Sequence, residues 1–166
     1  MNQLNVVSLA EAKLYLRIDP DDVLEDGLIT SLIKSAVNQA EQFTLQVLWQ
    51  RELTAITPVT GALKIYEYPL LSVEGVTNPD LEVLAFETIE TPGFTEVISG
   101  TAGFNIVTYV AGYGWNYEGG SEVPDDIETA IKEMIAYYYE NRDNPVVGMP
   151  TIATLLLSPY RRITLF

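Results

Sequence analysis

Two pairs of adjacent carboxylates, Asp21/Asp22 and Asp125/Asp126, are the side chains of this sequence best suited by type to acid–base chemistry. Paired carboxylates cleave glycosidic bonds when one is held protonated and the other ionised. Here each pair stands just ahead of a stretch with helical periodicity. Acids at that place are stabilised by the free amides and the positive end of the helix, which accounts for both pairs without catalysis. Asp19-Pro20-Asp21-Asp22 with Glu25 and Asp26 offers oxygen ligands for calcium, but it lacks the glycine and the spacing of an EF-hand loop. Gly112-Tyr113-Gly114 has neither the lysine of a phosphate-binding loop nor dinucleotide-binding spacing, and reads as a turn that ends a strand. Tyr113, Trp115 and Tyr117 around it read as packed or interfacial aromatics. Tyr137-Tyr138-Tyr139 could stack on bases, but no basic run accompanies it, and helix packing explains it better.

Histidine and cysteine are both absent. The commonest general base, the commonest transition-metal ligand and all thiol chemistry are thereby removed. No catalytic residue, cofactor or metal is expected, and the zero cysteine count suits a reducing compartment. The N-terminus, Met1 to Asn5, lacks the basic and apolar regions of a signal peptide, and no apolar run is long enough for a membrane helix.

Charge is distributed unevenly. The net charge is −14, and no lysine or arginine occurs from Ile65 to Ile131. That stretch contains Glu67, Glu74, Glu82, Glu118 and Glu122 among its acids. It should repel phosphate and cannot grip nucleic acid. The C-terminus is the reverse. Leu155-Leu156-Leu157-Ser158-Pro159-Tyr160-Arg161-Arg162-Ile163-Thr164-Leu165-Phe166 is apolar to its last residue, with two adjacent arginines. Such a tail needs cover, from its own core or from a partner.

These residues must be placed by helices at both ends and strands between. Ser8 and Glu11 form a capping box ahead of a short first helix. Asp22 is placed to cap a long second helix with an apolar stripe at Ile29, Leu32, Ile33, Ala36, Val37, Ala40 and Phe43, ending near 45–48. Strands are expected at 53–57, 63–66, 71–76, 81–86, 94–98 and 104–110, punctuated by proline and glycine. Pro124, Asp125 and Asp126 open a third helix with Ile127, Ala130, Ile131, Met134, Ile135 and Tyr138 on one face. Thr151 is placed to cap a last short helix. The fold class is therefore α+β. A helical bundle from residues 1–50 and 123–166 is expected to carry an antiparallel β module at 51–122 as an insertion, with a docking tail at the end. Ile33 and Met134 should both be buried where the long helices meet.

In order along the chain stand Ser8-Leu9-Ala10-Glu11-Ala12-Lys13-Leu14-Tyr15-Leu16-Arg17-Ile18-Asp19, Tyr109-Val110-Ala111-Gly112-Tyr113-Gly114, Val123-Pro124-Asp125-Asp126-Ile127, Tyr138-Tyr139-Glu140-Asn141-Arg142 and Leu155-Leu156-Leu157-Ser158-Pro159-Tyr160-Arg161. This ordered set resembles the head–tail connector (adaptor) proteins of tailed bacteriophages. The chain departs from many of them in having Tyr138-Tyr139 where they have a histidine and a tryptophan, and in its apolar extension past Arg161. The resemblance implies a structural virion protein with no catalytic residues, located at the head–tail junction and assembled in the host cytoplasm. It implies a roughly dodecameric ring of copies beneath the portal protein, closed by heterologous contacts. It also implies an extended channel for passing double-stranded DNA, a platform for a head-closure or tail protein, and no membrane. Tyr160, Arg161, Arg162, Ile163, Leu165 and Phe166 are the expected docking residues toward the portal or a neighbouring subunit. Glu67, Glu74, Glu82, Glu118 and Glu122 are the expected channel-facing acids. The alternatives are another head-closure or tail-completion factor, and a carboxylate-dependent carbohydrate-active or carbohydrate-binding domain.

Overall fold

A computed structural model describes residues 3–57, 62–100, 103–114, 122–142 and 148–162. After a 3-10 turn at Gln3–Asn5 come helices α1 (Leu9–Leu16) and α2 (Asp26–Thr44). Strands β1 (Arg51–Ile56), β2 (Ala62–Ile65), β3 (Leu70–Thr77), β4 (Val83–Leu84), β5 (Phe86–Glu90), β6 (Thr95–Ser99) and β7 (Ile106–Ala111) follow. Helices α3 (Asp125–Glu140) and α4 (Thr151–Leu157) and a 3-10 turn at Ser158–Tyr160 complete the described order. The α+β mixture is as expected.

The capping box on α1 forms in full. The Glu11 amide donates to Ser8 Oγ at 3.2 Å, and the Ser8 amide donates to Glu11 Oε2 at 2.8 Å. The hydrogen bonds from the Ser8 side chain and backbone hold the Glu11 carboxyl below its ordinary value. A carboxylate lowered in the folded state contributes stability above its unfolded pKa, and loses it as pH falls through the folded value. Ser8→Ala should therefore cost ~1 kcal/mol near neutrality. The gap between variant and parent should narrow below about pH 4, as the carboxyl protonates in both. Urea midpoints measured at pH 7 and pH 3 check this.

Two expected caps are corrected. Asp22 does not cap α2: the helix starts at Asp26, and its N-cap is Glu25, without a side-chain cap bond. The Asp22 carboxylate instead accepts the Leu24 amide at 3.0 Å, a local turn that competes with capping. Thr151 does not cap α4 either. It is already helical, and extended Pro150 takes the N-cap place and accepts the Thr154 amide at 3.0 Å. The end of α2 also comes slightly early, at Thr44, because Leu45 turns left-handed (φ 56°) and bonds back to the Glu41 carbonyl.

The long helices α2 and α3 pack on each other through their apolar stripes. Ile29, Ile33, Ala36, Val37 and Ala40 on one meet a core shared with Ile127, Ala130, Ile131, Met134 and Ile135 on the other. Ile33 and Met134 are both fully buried, as expected. Helices α1 and α4 each pack on both members of this pair. Lys13 is buried although charged. Its ammonium donates to the carbonyls of Pro20 (3.2 Å) and Asp22 (2.8 Å) and lies 2.5 Å from the Asp26 carboxylate. Of the acids considered for calcium here, Asp26 faces that lysine, Glu25 pairs with Arg142 at 2.8 Å, and Asp19 and Asp22 accept the amides of Asp21 and Leu24.

The strands form two antiparallel sheets, ordered β1-β7-β3-β4 and β2-β6-β5. Val47, Ile65, Val76, Val97, Val107, Tyr109 and Ala111 form a second core, contributed by both sheets. The expected strand at 81–86 is corrected. Asn78 Oδ1 accepts the amides of Asp80 and Glu82, and Leu81 goes left-handed at φ 65°. That Asx turn leaves only Val83–Leu84 to pair with β3, and the chain then enters the other sheet as β5. The apolar alternation could not reveal the turn, because its cause is a hydrogen-bonding side chain upstream.

Candidate docking surface

The two cores meet along a polar seam built from four separated segments. Thr44 to Leu48, between α2 and β1, is the central one. The Val47 amide donates to the Tyr68 carbonyl at 2.8 Å, and the Val47 carbonyl accepts the Tyr113 amide at 3.3 Å. The Gly112 amide donates to the Pro69 carbonyl at 2.8 Å. Gln46, buried, uses both ends of its amide: Nε2 donates to the Tyr160 carbonyl (2.6 Å), and Oε1 accepts the Tyr113 hydroxyl (2.7 Å). Burial, then the nearby Tyr68 and Tyr160, push the Tyr113 hydroxyl up to about 12. It therefore stays a donor at every ordinary pH. Glu41 fixes the exit from α2 by accepting the Leu48 amide (2.8 Å) and both ends of the Arg51 guanidinium (2.7 and 3.3 Å). Such a forked pair locks orientation as well as charge.

The C-terminal arm lies on this seam. The Tyr160 hydroxyl donates to Asp126 at 3.1 Å, and burial followed by that carboxylate raises its pKa. The Arg162 amide donates to the Thr44 carbonyl at 2.9 Å. Its guanidinium donates to the carbonyls of Gly93 (3.2 Å) and Tyr66 (3.5 Å) and stacks over the Tyr68 ring at 4.4 Å. Arg161 points elsewhere. It is exposed, lies over the Phe43 ring at 5.5 Å, and has no ion pair among the described residues. Of the two arginines, one therefore clamps its own subunit and the other remains available. Ile163, Leu165 and Phe166 lie outside the described residues. Of the preceding leucines, Leu157 is buried, whereas Leu155 is 68% exposed. The helical turn decides this: Ala153 and Leu157 face the core, and Leu155 falls on the other side of α4.

The acids expected to face a channel are dispersed. Glu67, Glu74, Glu82 and Glu122 are all exposed, and Glu118 lies outside the described residues. Glu67 precedes β3 and Glu82 follows it, so an eight-residue strand, roughly 25 Å, separates them. Glu74 accepts a hydrogen bond from Ser72, and Glu82 accepts one from Asn78 at 2.9 Å. Glu67 and Arg162 line one cleft of about 390 Å³ with Phe86, Glu90 and Phe94. Burial and the Glu67 charge together raise the Tyr109 pKa. The carboxylate pairs are set at turns and helix starts: Asp125 and Asp126 open α3, and Asp19 accepts the Asp21 amide at 3.0 Å. Sequence reasoning missed Gln46, Tyr66, Tyr68 and Phe43 as seam residues. The one available signal was Tyr109 to Gly114, whose glycine marks the close backbone approach.

Residues 6–77 match the model of a family described as phage gp6-like head-tail connector proteins. The connector resemblance is borne out. No curated protein matches the chain. Among solved structures, one similar chain comes from the neck of an empty GTA particle computed with C6 symmetry. Its identity is 18% and its TM-score 0.75, with 98% of this chain and 92% of that chain covered. A second comes from the virion of a native gene transfer agent (GTA) particle, at 17% identity, TM-score 0.74 and coverage of 100% and 94%. A third, from the neck of a native GTA particle computed with C12 symmetry, has 18% identity, TM-score 0.69 and coverage of 97% and 93%. At these identities the likeness shows the fold, which is shared over nearly the whole chain.

Proposed function

We propose that this chain is a structural head–tail connector subunit of a phage-like particle. The observation that carries the reading is the connector-family match over 6–77, set within a fold shared end to end with particle-neck chains. In this reading, copies form a closed ring beneath the portal, prolong the DNA channel and offer a platform to a head-closure or tail protein. The C6 and C12 symmetries of the similar necks support a ring. The seam supports a rigid subunit: its polar groups tie bundle, sheets and arm into one body, which favours stacking over gating. Dispersed exposed acids suit a surface that DNA slides past, because they offer phosphate no counter-charge. Arg161 and the residues beyond Arg162 suit a contact with an acidic portal surface, through charge-assisted hydrogen bonds and apolar burial.

The test combines the chain with portal-bearing heads and images them. A ring of this chain below the portal is expected. The isolated protein should show no salt-sensitive affinity for duplex DNA, and tight binding would sink the channel reading. Truncation separates arm from tail. Removing 163–166 should leave the melting temperature nearly unchanged and abolish attachment to heads. Removing 160–166 should also lower it by several degrees, since the Tyr160 and Arg162 bonds to the seam are lost. A chain lacking 163–166 that still completes heads would refute the tail's docking role.

A further inference from the structure

Among the exposed apolar side chains described on the helical body, two groups stand out. Val23 and Leu24, in the connection between α1 and α2, are 68% and 90% exposed. That connection is firmly held. Lys13 takes the carbonyls of Pro20 and Asp22 and the carboxylate of Asp26, and the Leu24 amide donates to Asp22. An apolar side chain on a fixed backbone loses little entropy on docking. Asp19, Asp21 and Asp22, all exposed, precede it in the same connection. The second patch is Ile152 and Leu155, one turn apart on α4 and 56% and 68% exposed. The segment that carries them runs on to Arg161, which has no ion pair among the described residues. The first patch lies between α1 and α2 and the second on α4, so different elements of the bundle carry them.

We propose that the acid-rimmed Leu24 knob of one copy docks on Ile152, Leu155 and Arg161 of the next copy, head to tail. This rests on the ring reading above and names the faces that would form the ring contact. Charge selects the pairing. Knob against knob would press two acidic rims together, whereas knob against α4 brings Arg161 to Asp21 and its neighbours. A chain of net charge −14 repels its own copies, and this contact locally reverses the repulsion. Contact between two different patches is also the kind that closes a cyclic ring, because each copy keeps one knob and one socket free for the next.

The absence of native cysteine makes thiol cross-linking specific. Leu24→Cys and Leu155→Cys are both surface changes. Each variant alone, treated with a short bis-maleimide, should remain mainly uncross-linked. An equimolar mixture should yield cross-linked dimers, and the doubly substituted chain a ladder of higher multimers. Arg161→Glu should reduce the yield several-fold, and adding Asp21→Arg should restore it. Equal yields of Leu24-to-Leu24 and mixed products would overturn the head-to-tail pairing. So would the absence of any 24-to-155 product from chains with unchanged circular dichroism. Mass measurement of the unsubstituted assembly distinguishes the two levels. A closed ring without 24-to-155 products defeats only this contact. Open cross-linked chains that never close or join heads defeat the ring reading and leave the contact standing.

Discussion

Gly112→Ala is expected to prevent stable folding. Gly112 sits at φ +111°, a conformation that L side chains rarely adopt. Holding alanine there costs ~1–3 kcal/mol before any contact is considered. The contact is the larger problem. A Cβ at 112 would stand 2.3 Å from the Trp49 carbonyl oxygen, 2.5 Å from its carbon and 2.9 Å from the Gln50 nitrogen. All three are backbone atoms just ahead of β1, so no side-chain rotation relieves the clash. Relief requires moving β1 away from the end of β7, and the Gly112-to-Pro69 and Tyr113-to-Val47 hydrogen bonds lie at that place. The loss should exceed ~3 kcal/mol, a large part of the stability of an ordinary domain. Gly27→Ala is the opposite control. Position 27 lies in the first turn of α2, and an added Cβ meets nothing within 4 Å. That change should stabilise by up to ~1 kcal/mol. Denaturant melts of both variants check the contrast. A Gly112→Ala protein as stable as its parent would show that the Trp49 backbone does not lie against residue 112.

Ile33→Ala should cost ~2–5 kcal/mol. The side chain has no exposed surface, and it lies in the α2 stripe between Ile29 and Val37. Its loss leaves a cavity between long helices that cannot collapse freely, because Lys13, Glu41 and Tyr138 bond α2 to other segments: Tyr138 donates to Gln39 at 2.6 Å. For a chain of this length each kcal/mol lowers the melting temperature by about 2–4 °C. Leu155→Ala, at an exposed site, should change it little. The pair separates a core role from a surface role by melting temperature alone. A small effect at Ile33 would mean that the two helical stripes do not pack as described.

The sequence alone determined the helices and the core between them. Ser8 with Glu11, Pro124 with Asp125, and stripes at the helical period are local patterns. They are written in residues a few positions apart, where propensity and periodicity operate. It also placed most of the strands, and its ordered blocks pointed to the connector family. Tertiary structure decided what depends on residues far apart. The split of the 81–86 run followed from Asn78, and the loss of Asp22 as a cap from its turn with Leu24. The fate of the two arginines was settled at greater range. Arg161 and Arg162 are neighbours of one type, so no local rule separates them. Arg162 reaches carbonyls of Thr44, Tyr66 and Gly93, brought together only when both cores form, and Arg161 finds the Phe43 ring and solvent. Hydrogen-bond partners drawn from separate elements exist only after packing, and for that reason the seam had no signature in the sequence except the glycine that lets two backbones touch.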